Sequence, residues 1–182
     1  MTRVAILVGS LRKDSINLKF AKAVSALAPQ FECDFVPLGD LPMYNDDLWQ
    51  NPPKAVLDFK ERIRQSDAVL FVTPEYNRSI PPVLKNAIDW GSRPKDDNIW
   101  AGKPGASIGS SPGVIGTAVA QAHLRYVAGV VGIALLPVPE IYFSFKQDTI
   151  GDDFRFQKQE TIDFIGGFVT KFAEWIDRLS PR

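Results

Sequence analysis

The segment GSLRKDSIN (residues 9–17) brings two hydroxyls, a guanidinium and an amide to the start of a predicted helix. A phosphate monoester at neutral pH carries almost two negative charges and three acceptor oxygens. Hydroxyls, an arginine and the free N–H groups of a helix N-terminus meet that demand together. The residues predicted to bind such a group are Gly9, Ser10, Arg12, Ser15, Ile16 and Asn17.

A polar turn is the alternative interpretation of this segment. In that case Ser15 or Asp14 caps the helix and Arg12 is solvated. The segment matches neither the G-x-G-x-x-G dinucleotide fingerprint nor a P-loop, because it lacks the second and third glycines of the former and the G-K-[ST] of the latter. Taken alone, it favours the phosphate site and the plain turn equally.

The elements that must position this segment alternate along the chain as apolar strand runs and helical patterns. Such alternation predicts a parallel sheet with helices on both faces. We expect one domain, residues 1–182, of α/β class: a flavodoxin-like three-layer α/β/α sandwich with five parallel strands in the order 2-1-3-4-5. The predicted strands are 4–9, 31–38, 68–73, 105–109 and 132–139, and the predicted helices are 16–27, 53–65, 83–90, 116–129 and 156–179.

Ligands of such sheets bind beyond the carboxyl ends of the strands, at the point where the strand order reverses. Three loops should therefore meet there, spanning residues 9–16, 74–82 and 109–116. The second begins with PEYN (74–77), and the third contains SSPG (110–113) directly before a predicted helix. The residues that determine function should lie in these three loops.

Three motifs in these loops carry a family resemblance. GSLRKDSIN, TPEYNRSIPPVLKNAIDW and GSSPGVIGT resemble the NADPH-dependent FMN reductase family over about residues 4–145, and P-E-Y-N with K-N-A-I-D-W is the most specific part. Members include quinone, chromate, azo-dye and ferric-chelate reductases with flavodoxin-like folds. The resemblance implies a bound FMN, whose phosphate would occupy residues 9–17.

In the family the other two loops hold the flavin ring, and the resemblance carries this role to the matching residues here. Tyr76 can supply an aromatic surface, Asn77 a backbone N–H, and the helix after 109–113 an N-terminus aimed at flavin N1. Arg93 is a candidate contact for the nicotinamide cofactor or an acceptor, and ordinary surface charge is an equal alternative. The residues implied for the ring are Pro74, Glu75, Tyr76, Asn77, Ser110, Ser111, Pro112 and Gly113.

The resemblance implies an enzyme that passes a hydride from NADH or NADPH to FMN and then electrons to an acceptor, with ping-pong kinetics. Acceptors would be quinones, metal oxyanions such as chromate, ferric chelates or azo compounds. No residue of the chain needs to act as a general acid or base, because flavin N5 carries the chemistry. A flavodoxin-type electron carrier and an FMN-binding sensor module are the alternatives; the zero net charge disfavours the carrier, since carriers tend to be acidic.

Composition argues against several other classes of function, among them nucleic-acid binding, membrane binding and metal binding. Lys and Arg number 21 and Asp and Glu number 21, so we expect no nucleic-acid binding and no anionic-membrane binding. The single cysteine and the absence of a signal peptide or long apolar run indicate the cytoplasm. We expect no metal site, because the one histidine, His123, lacks suitably spaced ligands. Segments 116–129 and 39–53 resemble subunit-pairing surfaces, which implies a homodimer or a tetramer.

Overall fold

The computed structural model describes residues 1–180, and its centre is a six-stranded sheet. Every strand pairs with its neighbours in parallel. The most buried strand reads AVLFV, a β-branched and aromatic run of the kind that forms a strand covered on both faces. The strands are β1 (Thr2–Val8), β2 (Phe31–Phe35), β3 (Ala68–Val72), β4 (Pro104–Ser111), β5 (Ala134–Leu135) and β6 (Ile141–Ser144).

Five α-helices connect and flank these strands: α1 (Ile16–Ala26), α2 (Lys54–Arg64), α3 (Pro82–Gly91), α4 (Ala118–Val131) and α5 (Gln159–Leu179). Alternate residues of each strand face opposite sides of the sheet. In β1, Val4 and Ile6 therefore pack with α1 and α5, whereas Ala5 and Leu7 pack with α2, α3 and α4.

The sheet has the strand order β2-β1-β3-β4-β5, with β6 also paired to β4. The prediction of a flavodoxin-like sandwich with order 2-1-3-4-5 is confirmed. One strand differs from the prediction: the run at 132–139 forms only the short β5, and pairing to β4 resumes in β6. Pro137 and Pro139 lie between the two parts, and proline has no N–H to donate to a neighbouring strand.

Two helices start later than predicted. Gly116 and Thr117 have positive φ angles of 58° and 75°, so α4 begins at Ala118. The final helix begins at Gln159 because Phe156 instead forms an isolated antiparallel bridge with Ile150. No helix within residues 1–180 combines the length and the apolar character that crossing a membrane would require.

Candidate functional site

The three predicted loops leave neighbouring strands at the same edge of the sheet. Hydrogen bonding continues past the strand ends, since the Gly9 N–H donates to the Val72 carbonyl at 2.9 Å and the Thr73 N–H donates to the Ile108 carbonyl at 2.9 Å. The loops after β1, β3 and β4 therefore begin side by side. The convergence expected from the sequence is observed.

Two glycines allow these loops to touch. A Cβ at Gly9 would lie 2.7 Å from Pro81 Cγ, in the loop after β3. A Cβ at Gly109 would lie 2.1 Å from Thr117 Oγ1 and 2.3 Å from the Thr73 carbonyl oxygen. Real Cβ atoms essentially never come so close to another heavy atom. Any side chain at either position would push the loops apart.

The first loop ends in a capped helix. Ser15 is the N-cap of α1, and its Oγ accepts from the Leu18 N–H at 3.2 Å. Its own O–H hydrogen stays available to donate. Ser10 Oγ accepts from the Arg12 N–H at 3.4 Å, while the Arg12 side chain is exposed and forms no salt bridge within residues 1–180. The loop thus presents two hydroxyls, one guanidinium and the first-turn N–H groups of α1.

The side chain of Asn17 contacts the backbone of the third loop. Its side chain is 1% exposed, and Nδ2 donates to the Ser110 carbonyl at 2.8 Å. Its Oδ1 accepts from the Ser110 N–H at 2.9 Å. Both polar atoms of the side chain therefore contact Ser110, while the backbone N–H of Asn17 and the second N–H of Nδ2 are not used in these two bonds. The side chain joins the first loop to the third.

The hydroxyl of Ser110 is buried and is not hydrogen bonded within residues 1–180. Its side chain is 1% exposed, and Oγ has no hydrogen-bonding partner within the described residues. Buried hydroxyls are normally hydrogen bonded, and leaving one without a partner costs about 1–3 kcal/mol. Its position next to Asn17 places this hydroxyl beside the start of α1. A bound group with an acceptor atom there would satisfy it.

The second loop folds into a tight turn between Tyr76 and Ser79. The Tyr76 N–H donates to the Ser79 carbonyl, and the Ser79 N–H donates back to the Tyr76 carbonyl, each at 3.0 Å. Asn77 and Arg78 at the centre of the turn have positive φ angles of 50° and 64°. Such angles are uncommon outside glycine and concentrate in turns and functional sites. The turn leaves the Tyr76 ring partly exposed at the edge of the site.

Glu75 connects the second loop to α4. Its Oε2 accepts from the Val119 and Ala120 N–H groups at 3.1 Å each, and its Oε1 accepts from Arg78 Nη1 at 3.0 Å. First-turn N–H groups of α4 therefore already bind a carboxylate, and the expectation that the N-terminus of this helix points at the flavin stays a prediction. Nothing in the sequence pattern of PEYN distinguishes a capping glutamate from a ligand-binding one.

The buried side-chain amide of Gln121 supports the third loop, and the sequence analysis did not identify it. Gln121 is fully buried, and Nε2 donates to Thr117 Oγ1 at 3.0 Å and to the Ile141 carbonyl at 2.8 Å. Its Oε1 lies 3.4 Å from Ser107 Oγ. These bonds hold Thr117 in a left-handed conformation that a β-branched residue rarely adopts. The available signal was a single amide among apolar residues in AVAQAHL.

Comparison with known proteins places this arrangement in a family. The family model for NADPH-dependent FMN reductases matches residues 2–149. The chain belongs to this family. The prediction from the loop motifs is confirmed, and with it the prediction of an enzyme that uses FMN, with NAD(P)H as the electron donor.

Individual relatives of this FMN reductase match over nearly its whole length. A 2-hydroxy-1,4-benzoquinone reductase from Burkholderia sp is 45% identical over 96% of each chain. A quinone reductase from Pseudomonas putida is 46% identical and covers 95% of this chain and 94% of the relative. The solved structure of FerB, a flavoenzyme NAD(P)H:(acceptor) oxidoreductase from Paracoccus denitrificans, superposes with a TM-score of 0.96 at 48% identity, over 98% of each chain.

The residues of this FMN reductase fit its cofactor at the edge where the loops meet. The first loop offers the donors that a phosphate requires. Within residues 1–180 the Ser110 hydroxyl lacks a partner, and the turn at Tyr76 offers an exposed aromatic surface. No group of three His, Cys, Asp or Glu side chains in residues 1–180 is arranged to hold a metal ion.

Arg93 lies away from this edge of the sheet. It follows the C-terminus of α3, whose ten residues extend about 15 Å from the loops where the helix begins. Its carbonyl accepts from the buried ammonium of Lys60, and its side chain is exposed. Arg93 lines a cavity with Tyr126 and Val130 of α4. A contact between Arg93 and nicotinamide stays a prediction.

Proposed function

We propose that this enzyme is an NAD(P)H:quinone oxidoreductase. The observation that carries the proposal is the meeting of three loops whose unused donors, the hydroxyl of Ser110 among them, match the phosphate and ring of FMN. The names of the Burkholderia and Pseudomonas relatives, which are quinone reductases, support quinones as acceptors. Chromate, ferric chelates and azo compounds are the further acceptors that we propose.

The chain contributes binding and orientation. Ser10, Arg12 and the N-terminus of α1 would hold the phosphate, and the turn at Tyr76 and the segment 110–113 would hold the ring. Bound FMN supplies the chemistry: it accepts a hydride at N5 and delivers electrons to the acceptor. Holding two planar reactants in contact is the main way in which such a site accelerates the reaction.

No side chain of the three loops is arranged as a general acid or base. Glu75 is engaged with α4 and Arg78, and Ser15 is engaged as a helix cap. This arrangement agrees with a reaction in which the cofactor, and no side chain of the protein, exchanges the hydride. Because nicotinamide and acceptor would use the same exposed ring in turn, we propose ping-pong kinetics.

The deciding experiment has two stages. First, the purified protein is titrated with FMN and followed by flavin fluorescence, with a dissociation constant at or below the micromolar range expected. Second, the initial rates of NADH and NADPH oxidation are measured with benzoquinone, free FMN, chromate and ferric citrate as acceptors. Rates highest with benzoquinone and parallel double-reciprocal lines support the proposal. Failure to bind FMN, or activity with every acceptor except the quinone, refutes it.

We also propose that the enzyme is a homodimer or a tetramer. Tyr126 and Val130 on α4 are 77% and 73% exposed, which is unusual for adjacent apolar side chains on one helix face. Arg125 on the same helix pairs with Glu140 of its own chain at 3.3 Å. His123 lies with Nδ1 3.2 Å from Ser79 Oγ, in the turn of the second loop. A second protomer on this face would lie next to the flavin site.

A further inference from the structure

Glu75 occupies the junction between the second loop and α4. The carboxylate is 9% exposed and makes two N–H contacts of 3.1 Å to the first turn of α4. A glutamate in the family motif would be taken for a cofactor contact, yet every short contact of its carboxylate in residues 1–180 is to Val119, Ala120 or Arg78. Within these residues the carboxylate is thus satisfied by protein groups alone.

The N-terminus of an α-helix carries the equivalent of about half a positive charge. α4 has 14 residues and begins directly after the segment 110–117, so this charge would act on a ring held there. The carboxylate of Glu75 offsets it. Arg78 in turn offsets part of the carboxylate charge, but its side chain is 63% exposed and is screened by water.

We infer that Glu75 is a positioning residue that also keeps the reduction potential of the bound FMN low. Reduction adds negative charge to the flavin, so a nearby carboxylate disfavours the reduced form and a nearby cation favours it. A low potential helps the enzyme to pass electrons to acceptors. The same carboxylate holds the turn at Tyr76 against α4, which fixes the ring-binding surface.

This inference rests on the proposed function, because it requires FMN in the site. The test uses the FMN-loaded protein and measures the midpoint potential of the bound flavin by equilibration with a reference dye. Glu75→Gln keeps the size of the side chain and removes its charge. We expect its potential to rise by about 30 mV, which corresponds to a tenfold shift of the FMN dissociation constant in favour of the reduced form.

Arg78→Gln is the second variant, and its expected effect has the opposite sign. Removing the cation leaves the carboxylate of Glu75 unopposed, so the potential should fall, by less than the rise in Glu75→Gln because Arg78 is exposed. Asp177→Asn removes one carboxylate from the exposed end of α5 and serves as the matched control, with no shift expected. Opposite shifts in the two variants, with none in the control, support the inference.

Two results would overturn it. A Glu75→Gln protein that retains FMN at the parent potential shows that the carboxylate only caps α4. If Glu75→Gln does not fold, an unchanged or raised potential in Arg78→Gln overturns the inference by itself. Failure of the parent protein to bind FMN is a different result, because it rejects the proposed function before any potential is measured.

Discussion

The side chain of Asn17 is hydrogen bonded at both of its polar ends to the backbone of Ser110, with distances of 2.8 and 2.9 Å. Asn17 lies in the first turn of α1, and Ser110 lies near the end of β4. The pair therefore ties the predicted phosphate loop to the predicted ring loop. The amide of Asn17 thus helps to set the separation of these two parts of the site.

Asn17→Leu removes both hydrogen bonds at nearly constant volume. The buried N–H and carbonyl of Ser110 then lack partners, and we expect the free energy of unfolding to fall by about 3 kcal/mol. FMN should bind about tenfold more weakly, since the hydroxyl of Ser110 loses its fixed position. Urea denaturation and flavin fluorescence titration measure the two effects.

Asn86→Leu is the control for this prediction. Asn86 is also buried, and its side chain accepts from the Tyr44 N–H at 2.8 Å and donates to the Pro42 carbonyl at 2.8 Å. The Asn86→Leu substitution should lower the free energy of unfolding about as much as Asn17→Leu does, and it should leave FMN affinity within about threefold of the parent. Equal weakening of FMN binding in both variants would show that Asn17 acts only through overall stability.

Arg12→Ala tests the phosphate loop. The side chain of Arg12 is exposed and forms no salt bridge within residues 1–180, so the melting temperature should not change. A charge-assisted hydrogen bond contributes about 1.5–3 kcal/mol, so FMN binding should weaken about tenfold to a hundredfold. Lys13→Ala, which removes the neighbouring exposed cation, should weaken binding far less. Comparable losses in the two variants would point to general electrostatic attraction in place of a specific contact.

Asp34 on β2 should make the free energy of unfolding depend on pH in the acidic range. Its Oδ2 accepts from Arg62 Nε at 3.1 Å and from Arg3 Nη2 at 3.2 Å. The hydrogen bond from Arg62 is the largest influence and lowers the pKa of the Asp34 carboxyl below its usual value. The resulting stability is present above the ordinary aspartate pKa of about 3.9 and is lost as the pH falls through the lowered folded-state pKa.

Asp34→Asn should therefore lower the free energy of unfolding by about 2 kcal/mol at pH 7 and reduce its fall below pH 4. Urea denaturation between pH 3 and pH 7 checks both. An acid dependence as steep as that of the parent protein would mean that other carboxyls dominate. Asp58→Asn is the matched control, because Asp58 pairs with Lys54 on the exposed surface of α2 and should contribute little.

Val130→Glu tests the proposed protomer interface. A charge at this exposed position should cost the single protomer little, whereas an apolar interface would have to bury it. We expect the dimer to dissociate at micromolar concentration in analytical ultracentrifugation. Leu57→Glu on α2, where the side chain is 50% exposed, is the control and should leave the association unchanged. Persistence of the parent mass in Val130→Glu would place the interface elsewhere.

Much of the fold could be predicted from the local pattern of apolar residues in the sequence. The apolar runs of β1 and β3 are buried on both faces, and such runs separated by helices admit few arrangements other than a parallel sheet. The fifth strand was predicted less well. Pro137 and Pro139 interrupt its pairing to β4, and an apolar run alone does not reveal where its pairing stops.

By itself, the sequence determined the family, the order of the strands and the three loops that meet at one edge. The loop motifs and the alternation of strand and helix patterns are read from consecutive residues, and that alternation admits few sheet arrangements. Only the tertiary structure decided what individual side chains in those loops do. Asn17 and Glu75 lie within the motifs but bind Ser110 and the start of α4, and Gln121 supports the site from outside them. These contacts join residues distant along the chain, and no local pattern encodes which distant group a polar side chain will meet.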